Sequence, residues 1–167
     1  MDFPTLFTER LTLRQLRAGD EQAIFQLRSN QSVNRFLERK PAKSRADAQL
    51  FIEKVITNFA ENQGFYWGIC LKSNGQLIGT VCFFDFVGPE STAEIGYEMH
   101  PVFQGKGFMH ESIVAVIGFA RQNMNWQKIL AFPVKQNLQS IRLLEKNQFK
   151  LDTGFLDDQY LKFVLTD

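Results

Sequence analysis

The stretch from Phe65 to Phe86 restricts the fold more than any other part of the chain. It reads FYWGICL, KSNGQ, LIGTVCFFDF: two runs rich in aromatic and β-branched residues, joined through an Asn-Gly pair that favours a tight turn because both residues tolerate positive φ. This predicts an antiparallel hairpin near the middle of the chain, with Gly79 as a point where a bulge fits. Helix and strand patterns alternate around it. RLTLRQL reads as a first strand through Leu11, Leu13 and Leu16, and Gly19-Asp20 then offers an N-cap to a helix carrying Ala23, Ile24 and Leu27. Beyond Pro41, Ser44 and Asp47 form a capping-box pattern ahead of Ala48, Phe51, Ile52, Val55, Ile56 and Phe59 at helical spacing. After the polar loop VGPEST, AEIGYEM reads as a strand, and Met109, Ile113, Val116, Ile117 and Ala120 share one helix face. KILAFPV is a further strand, NLQSIRLLEKN a further helix, and FKLDTGFLDDQYLKFVLT two strands about an Asp157-Asp158 turn. No repeat, low-complexity tract or linker rich in Gly, Pro or Ser divides the chain, so the pattern predicts one α/β domain with a mixed sheet over residues 1–167.

Charge and cysteine use narrow the function. Nineteen Lys and Arg against eighteen Asp and Glu leave a net charge of +1, which argues against an electrostatic nucleic-acid binder. The one basic stretch, RFLERKPAKSR from Arg35 to Arg45, reads as a solvated loop. Cys70 and Cys82 stand in apolar settings and read as small buried hydrophobes rather than a disulfide. The only histidines, His100 and His110, belong to no cluster with metal-ligand spacing, so no metal is expected. No apolar run approaches the ~18 residues that span a bilayer, and the N-terminus lacks a basic n-region followed by an apolar core, which predicts a cytoplasmic protein with no membrane partner.

The chemistry-bearing signal is QGKGFM, Gln104 to Met109, between a strand and a helix. Gly105 and Gly107 let backbone approach a ligand closely, and the free amides at the helix start favour an anion such as a phosphate. Ordinary turn chemistry explains such a glycine pair equally well. Two common phosphate loops are excluded: Lys106 precedes Gly107 rather than Ser or Thr, and the residue three after Gly107 is His110 rather than Gly.

The order AEIGYEMHPVFQGKGFMHESI followed by NLQSIRLLEKNQF resembles the GCN5-related N-acetyltransferases (GNAT), specifically the branch of the RimJ- and RimL-like protein N-terminal acetyltransferases. The family's Q/R-x-x-G-x-G/A loop matches at Gln104 and Gly107, with Met109 in place of the last small residue. TERLTLRQL resembles that branch's first strand, and Asn137 to Phe149 its N-x-x-S-x-x-L-x-E-K-x-G-F helix. The resemblance implies a mixed, mostly antiparallel sheet of about seven strands flanked by helices, with splayed fourth and fifth strands. It implies acetyl-CoA as co-substrate and an amine acceptor, either a protein N-terminus or a small amine, with monomer and homodimer both open. The amides of Gln104, Gly105, Lys106, Gly107, Phe108 and Met109 would hold the CoA pyrophosphate. Met99 and His100 would border the pantetheine arm, and Asn137 would contact that arm or the CoA phosphate end, cap its own helix, or do both. A catalytically weak CoA-binding module of the same fold is the alternative.

Acetyl transfer needs a base for the amine and an acid for the departing thiolate. Glu94 and Glu98 share one strand face by their even spacing, and the resemblance favours Glu94 as base, with either Glu also readable as a structural strand residue. The family's usual Tyr acid is replaced by Leu144, and Ser140 matches the serine that serves the RimL type. Where the family ends this helix with Gly, Gln148 stands instead, leaving Asn147 to supply the left-handed cap.

Overall fold

The computed structural model describes residues 2–87 and 92–166; most of the VGPEST loop lies outside them. The expected hairpin forms the centre of an eight-stranded sheet in the order β1-β2-β3-β4-β5-β6-β8-β7. Its strands are β1 (Leu6–Phe7), β2 (Leu11–Gln15), β3 (Phe65–Leu71), β4 (Leu77–Val87), β5 (Thr92–Met99), β6 (Lys128–Ala131), β7 (Lys150–Leu151) and β8 (Phe163–Thr166). All neighbours are antiparallel except β5 and β6. The count exceeds the expected seven because a two-residue β1 opens the sheet, which also moves the splayed pair to β5 and β6. The Asn74-Gly75 turn uses Gly75 at φ 72°, and the register slips between Ile69 and Cys70, which pair with Gly79 and Leu77. The bulge therefore abuts Gly79.

Period-two alternation sends Phe65, Trp67, Ile69, Val81, Phe83, Ala93, Ile95 and Met99 to one face of the sheet, where they pack against Ile113, Val116, Ile117 and Ala120 of α4 (Phe108–Asn123) and Leu144 of α5 (Leu138–Lys146). Five of the 17 Phe residues and both Trp gather here: Phe3, Phe59, Phe65, Trp67, Phe83, Phe119 and Trp126 meet mostly edge to face, with centroid separations from 4.8 to 6.4 Å. The opposite face carries α1 (Glu21–Ser29) and α3 (Arg45–Ala60), seated through Ile24, Ala48, Ile52 and Val55 on Leu16, Tyr66 and Leu77. A short α2 (Gln31–Asn34) leads into the basic loop. Among the described residues no helix is long and apolar enough to cross a membrane.

The Ser44–Asp47 capping box forms as expected, with both reciprocal bonds present. Two other caps do not. Asp20 begins α1 without a side-chain cap bond, because its carboxylate instead accepts from Arg14 Nη1 and Nη2, each at 2.8 Å, and from the Arg17 amide. At the end of α5 it is Gln148, not Asn147, that takes the left-handed conformation, at φ 69°; Asn147 is occupied by His110 Nδ1 and the Leu143 carbonyl. A non-glycine residue there is strained, so Gln148→Gly is expected to stabilise the fold by about 0.5–1 kcal/mol, read as a rise in the denaturation midpoint.

Candidate active site

The site begins where the parallel pair ends. β5 and β6 are in register only at Thr92–Lys128, Ala93–Ile129 and Glu94–Leu130, yet β5 runs on to Met99. His100 donates its amide to the Ile78 carbonyl of β4, so by antiparallel alternation Glu98 and Gly96 also trade backbone bonds with β4 while Met99 and Tyr97 turn theirs the other way. Among the described residues no strand lies on that side beyond Glu94. The β5 edge is thus open along Tyr97 and Met99, an arrangement that buried backbone tolerates only where something else satisfies it.

This edge leads straight into the glycine loop. A 3-10 turn, Pro101–Phe103, ends with Gln104, whose amide donates to Pro101 and whose side chain donates to the Met99 carbonyl at 2.8 Å. Gly105 (φ 72°) and Gly107 (φ 81°) then take backbone that disfavours side chains, and Gly107 caps α4. Among the described residues the amides of Gly105 through His110 meet no acceptor in the protein. The free run is therefore displaced by one from expectation: Gln104 is committed to the turn, and His110 joins it. Six amides and the positive end of a sixteen-residue helix converge on one spot.

A cleft of about 490 Å³ follows the open edge. Gly105, Gly107, Phe108, Met109 and His110 wall one part of it, Asn137, Ser140, Arg142 and Lys146 of α5 another, and Ser32 to Leu37 close the far end against Glu98. Lys106 and His100 do not line it: Lys106 contributes its carbonyl to Arg10, and His100 borders a separate hollow beside α1. Asn137 does line the cleft and also caps α5, accepting from the Ser140 amide at 3.2 Å, so the two roles weighed for it are compatible.

The two glutamates of β5 part company. Both lie on the α1/α3 face, opposite Phe84 and Thr80 of β4, but only Glu98 reaches the cleft. Glu94 lies off it, with its carboxyl pushed up to about 7 by burial and by the Asp85 charge. Glu98 is 9% exposed and its Oε2 accepts from Arg39 Nη1 at 2.6 Å, while Glu98 Oε1 and Arg39 Nη2 are buried with no partner among the described residues. Arg39 overturns the reading of the basic stretch as wholly solvated: held by Asn34 at 2.7 Å, it folds inward from that loop.

On the other side of the strand, Tyr97 hydroxyl and Ser140 Oγ are 2.7 Å apart, and both residues line the cleft. Burial pushes the Tyr97 hydroxyl up to about 12, with the Ser140 bond opposing. Leu144, at the family's Tyr position, is wholly buried in the core. Sequence reasoning missed Tyr97 and Arg39. Alternation through Tyr97 and Met99 was the available signal for the first; nothing local marked the second.

The family described as Acetyltransferase (GNAT) domain matches residues 10–150. The chain belongs to the GNAT family. It is an N-acetyltransferase, similar to the uncharacterized N-acetyltransferase YoaA of Bacillus subtilis (strain 168), with 34% identity over 148 residues that cover 89% of this chain and 84% of that one. The ribosomal protein uS5 alanine N-acetyltransferase of Escherichia coli (strain K12) is 29% identical over 112 residues, 64% of this chain and 58% of its own. RimL, a ribosomal L7/L12 alpha-N-protein acetyltransferase solved with coenzyme A, shares the fold at TM-score 0.86 and 18% identity, each chain covered to 98%. In this chain the short β6 ends at Ala131, which leaves β5 beyond Glu94 without a parallel neighbour among the described residues.

Proposed function

We propose that the protein transfers the acetyl group of acetyl-CoA to the α-amine of a polypeptide N-terminus, by direct attack within a ternary complex. The observation that carries this reading is the single strand edge approached from two sides, with unpaired amides and Ser140 on one and Glu98 on the other. Acetyl-CoA brings a thioester that is reactive toward a neutral amine and carries phosphates suited to a helix start. The amides of Gly105 through His110 hold those phosphates, and the open edge at Tyr97 and Met99 pairs with the amide-bearing arm. Asn137 borders the same path.

Glu98 takes the proton of the attacking amine. Reach decides it over Glu94: proximity comes before pKa in choosing a base, and Glu94 does not line the cleft. Arg39 fixes the Glu98 carboxylate through Oε2 and leaves Oε1 for the amine. The attacking nitrogen forms its bond to the acyl carbon as the carbon–sulfur bond breaks, and the departing thiolate takes a proton from Ser140, which Tyr97 resupplies through their shared hydrogen bond; once the products leave, Tyr97 regains a proton from solvent and Glu98 releases one to it. The uS5-alanine N-acetyltransferase relative and the alpha-N-protein acetyltransferase RimL, which shares the fold, support this acceptor.

The test is thiol release from acetyl-CoA with three acceptors: a short peptide with a free N-terminus, the same peptide N-terminally blocked but carrying a lysine, and spermidine. Turnover with the first alone is the expected result. Preference for spermidine would replace the acceptor with a small amine, and CoA binding without thiol release from any acceptor would leave a binding module.

A further inference from the structure

The opening motif TERLTLRQL finds no role in the reaction just described, yet the structure places its first arginine against the glycine loop. Arg10 donates through Nη1 to the Lys106 carbonyl at 3.0 Å, through Nε to Glu111 Oε2 at 2.7 Å, and through its backbone amide to Glu111 Oε1 at 2.8 Å. Thr8 Oγ1 donates to the same Glu111 Oε1 at 2.5 Å. The guanidinium lies 4.3 Å from the centroid of Phe108, the first residue of α4. Its remaining nitrogen, Nη2, donates to nothing among the described residues and stands 3.3 Å from where a Cβ on Gly107 would lie.

Glu111 explains why this clamp is needed. It sits in the first turn of α4, where its negative charge would compete with a phosphate for the same amides and dipole. Burial alone would raise its carboxyl, but Thr8 and both the amide and guanidinium of Arg10 outweigh it and hold the group below the usual carboxylate range. Glu111 is therefore an anchor: ionised, with both oxygens engaged by Thr8 and Arg10 of the N-terminal segment.

We infer that Arg10 is a positioning residue for the CoA phosphates: it neutralises Glu111, fixes the Gly105–Gly107 backbone through Lys106, and presents Nη2 beside the amides that receive the anion. The inference rests on the acetyl-CoA reading above and assigns the opening motif to it. Because Arg10 acts on phosphate, its loss distinguishes acetyl-CoA from S-acetyl-pantetheine, which carries the same thioester without phosphates.

The experiment measures kcat and KM for both donors with wild type, Arg10→Ala and Arg10→Lys, after thermal melts show each variant folded. Arg10→Ala is expected to raise the KM for acetyl-CoA about tenfold with kcat within about twofold, and to leave the KM for S-acetyl-pantetheine within about twofold. Arg10→Lys, which keeps charge but not the fork, falls between, and carries the test if the alanine variant does not fold. An equal rise for both donors, or none for either, would overturn the role of Arg10 alone. Wild-type protein that takes acetyl-CoA no better than S-acetyl-pantetheine would instead remove the phosphate site, and this inference with it.

Discussion

Glu98→Gln is expected to lower kcat with a peptide acceptor by about a hundredfold or more, with the KM for acetyl-CoA within about twofold. The amide keeps the side chain's shape and an oxygen for Arg39 but cannot accept the amine's proton. The argument has a pH arm. An α-amine titrates near roughly 7.7–8.0, so at pH 7 most acceptor arrives protonated and a base is required. Above about pH 8.5 it arrives neutral, and the deficit of the variant shrinks. Removing the charge also leaves the Arg39 guanidinium, with 17% of its side chain exposed, without its counter-ion, which lowers stability. Kinetics are therefore taken well below the variant's Tm. Glu94→Gln is the control: off the cleft, it leaves kcat within about threefold. A large loss in Glu94→Gln with little in Glu98→Gln would return the base to Glu94 and show that the acceptor approaches by another route.

How far this site is legible in the sequence depends on the separation over which its contacts act. The glycine loop, the capping box at Ser44 and the central hairpin are local patterns, written in residues a few positions apart, and all three form. The position of Asn137 at a helix start is local too. Alternation along β5 correctly put Glu94 and Glu98 on one face, but did not show which of them meets the cleft, because that depends on where α2 and the residues after it, Ser32 to Leu37, close, more than sixty residues before Glu98. The Arg39–Glu98 pair spans a similar interval and the Arg10–Glu111 pair a longer one, and neither has a spacing that a helix or strand period would reveal. The α5 cap failed for a different reason. Asn147 satisfies the propensity rule, but its side chain is taken by His110 from α4, and the left-handed turn passes to Gln148.

The second large effect is expected at Gly79. This residue pairs with Met99, and a Cβ built on it would lie 2.5 Å from the Glu98 carbonyl and 3.1 Å from Met99 Cα, both backbone atoms that no rotamer change can move. Gly79→Ala must push β4 from β5 at the point where β5 carries Glu98, the proposed base, on one face and the open edge beside it. A loss of about 2 kcal/mol follows from overpacking a strand pair, seen as a fall in Tm of about 4–8 °C. A shift of the edge also raises the KM for acetyl-CoA by about fivefold or more, because displacement of under an ångström degrades every contact along it. Gly118→Ala separates this pinch from the general effect of adding a methyl group. Gly118 lies within α4, and a Cβ there meets nothing within 4 Å, so alanine is expected to raise stability by up to about 1 kcal/mol through helix propensity. Opposite signs at the two glycines would show that close approach of β4 to β5, adjoining the bulge at Ile69 and Cys70, holds the edge where the acyl donor lies. Equal and small effects would mean that β5 yields freely and that its position is set from the α4 side instead.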